Sequence, residues 1–98
     1  MTANPVRGEA LLLGYVLRPS FTALVAAEGE IGPLFGVVER AAAGALSLSE
    51  MVALFWHCLR DRPGGLTRDQ FSDAVVDGGL AAATPALKAL LGQILQGR

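Results

Sequence analysis

The chain is poor in the residues that most often carry chemistry. It has one cysteine, one histidine, one tryptophan and one tyrosine in 98 residues, and only 17% of its residues are charged. A single cysteine excludes an intrachain disulfide framework and predicts a reducing, cytoplasmic setting. Net charge is −1 with no basic block, so there is no electrostatic footprint for nucleic-acid phosphates. Apolar runs are broken by Gly, Ser or charge well before the ~18 residues that a membrane-spanning helix needs. The start, Met1 to Pro5, lacks a charged segment followed by an apolar stretch, so no signal peptide is expected. Near-neutrality also gives little protection against self-association.

What is present is apolar surface in periodic order. Apolar residues make up 52% of the chain, which argues against intrinsic disorder and for one folded domain. Residues 1–7 show no periodicity and are expected to be a flexible N-terminus, with 8–98 forming a single helical domain. In the run 8–18, Tyr15, Val16 and Leu17 favour extended structure around a turn at Gly14, but one buried helical turn fits as well. Arg18 precedes Pro19 and marks a boundary.

Five short helices follow. Ser20 caps a helix over 21–28 with Phe21, Leu24 and Val25 to one side, ended by Gly29 and Gly32. Pro33 opens a second, whose inner face is Leu34, Val37, Val38 and Ala41 and whose stop is Gly44. Ser47 and Glu50 have capping-box spacing before Met51, Leu54, Phe55, Cys58 and Leu59, an inward stripe with i, i+3, i+4, i+7, i+8 spacing. Thr67 and Gln70 repeat the box before Phe71, Ala74 and Val75, closed by Gly78-Gly79. Thr84-Pro85 reads as cap and first-turn proline of a last helix carrying Leu87, Leu90, Leu91, Ile94 and Leu95. The fold class expected is mostly α: a compact bundle of about five short helices, with a short N-terminal β-hairpin as the open alternative at 8–18.

The rare residues sit together at Trp56, His57 and Cys58. Adjacent helical residues diverge by about 100°, so His57 and Cys58 do not share one ligand. Only Asp61 lies at a helical spacing that would orient the His57 ring, and Cys58 falls on the inward stripe, where a thiol packs as a small hydrophobe. The segment 66–71 resembles the entering helix of an EF-hand, but no ligand loop with a closing Glu follows. The glycine pairs precede no Lys-Ser/Thr and read as helix stops. No nucleophile, base and orienter come together, so the chain is expected not to be an enzyme and to need no cofactor or metal. Trp56 differs: with Val52 at i−4 it widens the apolar arc of its helix, and Trp is enriched at energetic hot spots. Val52 and Trp56, with Phe35 on the flank of the second helix, are the candidate partner-binding residues.

The order of parts resembles a known family. Gly8-Glu9, the run Tyr15-x-Leu17-Arg18-Pro19-Ser20-Phe21-x-Ala23-Leu24, then Leu46-Ser47-Leu48-Ser49-Glu50, Leu59-Arg60, and Gly78-Gly79-Leu80 before an Ala/Leu-rich helix are similar to the small tail proteins encoded by gene transfer agents, relatives of phage tail assembly chaperones. The likeness spans roughly residues 8–95 and rests on structural rather than chemical motifs. The family carries a longer alternating segment before the Tyr-x-Leu-Arg-Pro run; here only Ala10 to Gly14 stand there, room for one short pair of strands or none. The resemblance implies a role in tail morphogenesis as an assembly chaperone for tape-measure or tail-tube proteins. Its alternatives are a tube component that self-assembles and a generic helical adaptor. The implied partners are other tail proteins or a second copy of the chain.

Overall fold

A computed structural model describes residues 9–96, so the expectation for residues 1–7 lies outside the described residues. Two short strands lead, β1 (Ala10–Leu12) and β2 (Tyr15–Leu17). Five helices follow: α1 (Phe21–Ile31), α2 (Leu34–Ala42), α3 (Leu48–Cys58), α4 (Arg68–Gly78) and α5 (Leu80–Gln96). Mostly helical with an N-terminal hairpin is therefore the observed class.

The hairpin resolves the ambiguity at 8–18. Ala10 pairs with Leu17, Leu11 with Val16 and Leu12 with Tyr15, antiparallel. Two residues remain for the turn, Leu13 (φ 51°) and Gly14 (φ 84°). A two-residue turn with positive φ at both positions matches the right-handed twist of the strands it joins. Glycine at 14 supplies one of these at no steric cost. On its other side β2 reaches the end of α3: Arg18 N–H donates to Cys58 O at 2.7 Å and Arg60 N–H to Val16 O at 2.8 Å. A bridge between Leu17 and Leu59 completes this third edge.

The capping boxes of α3 and α4 form as their spacing predicts. Glu50 N–H donates to Ser47 Oγ at 3.2 Å, and Ser47 N–H donates back to Glu50 Oε1 at 3.2 Å. Gln70 N–H and Thr67 N–H make the equivalent pair at 3.1 and 3.0 Å. Pro33 has no side chain to cap α2, and Glu28 replaces it from α1, its Oε2 accepting from Leu34 N–H at 2.9 Å.

Three sequence expectations are corrected. First, α1 continues through Gly29 to Ile31 and stops only at Gly32. Its inner face is Ala23, Leu24, Ala27 and Ile31, so Leu24 lies inward as its spacing predicts, while Phe21 is 82% exposed and Val25 about half exposed. Small residues let α1 lie close against α3, its principal contact, and Phe21 and Val25 fall on the outer side. Second, α5 begins at Leu80, so Pro85 is inside the helix. At the junction Gly79 has φ 87°, and α4 and α5 meet at 111°. This bend allows α5 to start a turn earlier than the cap-like Thr84-Pro85 suggests; the Thr84 hydroxyl instead donates to Leu80 O at 2.9 Å. Third, α3 is buried on more than its stripe: Met51 through Phe55 are all buried, Val52 and Ala53 included. The helix is the central element, with β2, α1 and α4 on different sides.

The core gathers Leu12, Leu17, Leu54, Phe55, Phe71 and Leu90 around α3. Each large aliphatic or aromatic side chain so buried contributes about 1.5–3 kcal/mol before the entropy of ordering the chain is set against it.

Candidate functional site

The Trp56-His57-Cys58 trio separates into three environments. Cys58 is buried, and desolvation of the thiolate pushes its thiol up to about 12. A thiol so protonated at neutral pH is a poor nucleophile. His57 is half-buried and its partner is not Asp61: Nε2 lies 2.9 Å from Glu30 Oε1 on α1. The ionised carboxylate only accepts, so the ring N–H at Nε2 is the donor in this contact.

Glu30 also takes a two-pronged contact from Arg68 at the start of α4. Nη1 donates to Oε1 at 2.8 Å, and Nη2 donates to Oε2. Three helices meet at one carboxylate. The Arg68 hydrogen bonds, and then that of His57, lower the Glu30 pKa to about 2, while the same contact raises that of Arg68. A general base works best with a pKa near the operating pH, so Glu30 is poorly matched to proton abstraction. The cluster is suited to clasping helices. Because the folded-state pKa lies below the usual carboxylate value, its stabilisation is complete above about pH 4.5 and is lost as pH falls towards 2. Glu30 and Arg68 are both partly solvated, so the effect is modest. Glu30→Gln should flatten the decline of the urea midpoint between these pH values; an unchanged acid profile would show that other carboxylates set it.

The three candidate partner residues do not converge. Val52 is only 6% exposed, a correction to its reading as surface, because α4 lies across that flank of α3. It forms the floor of an open groove of about 410 Å³ between the two helices, bordered by Leu48, Ser49, Arg68, Ser72 and Val76. Trp56 is half-buried. Its ring centroid lies 5.9 Å from that of Phe71, and the Arg62 guanidinium sits 4.3 Å above its ring. Phe35 is the exposed one, at 79%, on a different face formed by α2 and α5.

Sequence reasoning missed Leu48 and Val76, both about half exposed at the α3/α4 groove. It also placed Leu95 inside, where the structure leaves it 56% exposed beside Phe35. The signal was the width of the stripes: the apolar positions of α5 cover more arc than a single contact with the core conceals. Of that stripe Leu90 is fully buried and Leu87, Leu91 and Ile94 are partly buried against the core, while Ala83 and Ala86 are buried beside it. Among the described residues no group of three or more His, Cys, Asp or Glu is placed to hold a metal ion, and no single helix is long and apolar enough to cross a membrane.

What the geometry presents is apolar helix surface in two separate places. A family model described as "Phage tail tube protein, GTA-gp10" matches residues 14–97. The chain belongs to this family. The match covers β2 and all five helices, so the fold described above is the part that carries the family likeness. It establishes the gene-transfer-agent and phage-tail affiliation that the motifs at 15–24 and 46–50 implied. Neither the curated proteins nor the solved structures contain a match to the chain.

Proposed function

We propose that this member of the family is a non-enzymatic tail assembly chaperone, acting in the cytoplasm, that holds a tape-measure or tail-tube subunit by apolar contact. The observation that carries the reading is the α3/α4 groove. Its floor is Val52, its apolar walls are Leu48 and Val76, and its rim is the polar trio Ser49, Arg68 and Ser72. An apolar trough with a polar border takes the apolar side of a helix or strand and leaves the partner's polar side in water. Trp56 supports the groove from within, by bracing α3 against Phe71 of α4.

The test is co-purification with the tail-tube and tape-measure proteins of a phage-like tail. Val76→Asp places a charge on the exposed wall and should reduce recovery about tenfold, equivalent to 1.4 kcal/mol, with the helical CD spectrum unchanged. Undiminished recovery of both proteins would reject the groove as the holding site.

A second reading, a self-assembling tube component, is supported by the family's description. Against it, the sheet among the described residues is two strands of three residues each, a short edge from which to build a continuous wall. Growth into rings or tubes on sedimentation would favour the component over the chaperone.

A further inference from the structure

The α3/α4 groove has one neutral border and one acidic border. On α4 the wall positions are Arg68, Ser72 and Val76. The residue after each is an aspartate, Asp69, Asp73 and Asp77, and all are exposed. One position further is about 100° round the helix, so these carboxylates stand in a row beyond the wall, away from the core residues Phe71 and Val75. The α3 border offers the uncharged Ser49, and its neighbour Glu50 is held by Arg40. The rim cation, Arg68, is itself held by Glu30.

Local helix physics does not explain the acidic row. Asp69 lies in the first turn of α4, where the helix dipole favours an anion. Asp77 is in the last turn, where it opposes the dipole, and no basic residue stands there to offset it. Like charges four residues apart on a helix repel, which sets Asp73 against both of the others. Among the described residues neither Asp73 nor Asp77 takes part in an ion pair. Local choices that work against their own element are expected at functional positions.

The groove also selects the conformation of its occupant. It is lined by side chains between two helices, so an extended strand would find no ladder partners there, whereas a helix arrives with its own backbone satisfied. From Arg68 to Val76 is ~12 Å at 1.5 Å per residue, a little over two helical turns. An apolar stripe of that length rests on Leu48, Val52 and Val76, and the residues beside the stripe pass over the aspartates, as flanking charges do between paired helices. We propose that the segment held in the α3/α4 groove is an amphipathic helix whose flank towards α4 carries lysine or arginine. This rests on the groove being the holding site, and adds the conformation and charge of what it holds.

The probes are synthetic helical peptides of ~14 residues, about four turns, that share one leucine stripe and differ only in flanks of lysine, glutamine or glutamate. Fluorescence anisotropy with the full chain at ~0.1 M salt should rank them in that order, with about tenfold between lysine and glutamine. At ~1 M salt, where the screening length falls to ~3 Å, the ranking should collapse. Asp73→Asn combined with Asp77→Asn should remove most of the lysine preference and raise the urea midpoint, because the repulsion within α4 is relieved. Val76→Gln, which changes no charge, should weaken all the peptides. Equal binding of the peptides, a lysine preference untouched by the double variant, or a lowered urea midpoint in that variant would each overturn the charge assignment; weakening by Val76→Gln would then still leave the groove as the holding site. Binding of none of the peptides, or indifference to Val76→Gln, would reject the groove and this inference with it.

Discussion

Phe71→Ala should cost about 4 kcal/mol, enough to consume most of the stability of a domain this size. The side chain is fully buried, and its loss removes both transfer free energy and the packing around the vacated space. Two further rings depend on it. Tyr15 of the hairpin meets it edge-on, with centroids 5.7 Å apart and planes at 75°, and Trp56 meets it at 5.9 Å and 48°. Aromatic pairs in such geometries contribute about 0.5–1.5 kcal/mol beyond the area they bury. Phe71 is thus the point at which β2, α3 and α4 are held to one another. Urea denaturation followed by far-UV CD and by the fluorescence of Trp56 should show one shared transition at much lower urea. A loss below about 1 kcal/mol would mean that the neighbouring side chains refill the space.

Arg60→Met is the second large effect, expected at about 3 kcal/mol. Glu9 is buried, and Arg60 Nη1 donates to both of its carboxylate oxygens at 2.9 Å. Removing the cation from a buried carboxylate typically costs about 3–5 kcal/mol, because the charge stays desolvated. The lower end applies, since the Arg60 side chain is about a third exposed. Neutralising both members is gentler, so Glu9→Gln should recover a good part of the loss when combined with Arg60→Met. Chemical denaturation of the two single variants and the double measures the coupling directly. Strictly additive losses would show that the contact contributes nothing of its own.

How legible these features were follows the range of the interactions that create them. The capping boxes at Ser47/Glu50 and Thr67/Gln70 need residues only three apart, so spacing alone revealed them. The same local logic misled at Thr84-Pro85, where a plausible cap lies inside α5 because the Gly79 bend had already begun the helix. The face of α1 was misread for another reason. Phe21, Leu24 and Val25 were taken as the inner side, but of these only Leu24 packs inward, beside Ala23 and Ala27. Interhelical distance is a tertiary property, and no periodicity encodes it. Likewise, nothing in the sequence couples His57 to Glu30, which stand 27 residues apart. Val52 was placed on the right flank of α3, but the covering of that flank by α4 depends on the path through 59–67. Phe35 was identified as a flank residue, and it is the one candidate the fold leaves open to solvent.

The Glu9 locality has a bearing on how the protein comes into being. The Gln93 side-chain amide donates to Glu9 O at 2.6 Å, joining positions 84 residues apart in the chain. The hairpin is synthesised before Gln93, so this fastening can close only after the intervening positions, α1 to most of α5, have been made. Until then the first strand is paired with β2 but lacks its packing against α5. Completion of α5, rather than of any earlier helix, is the step at which the two ends of the fold can be fastened together.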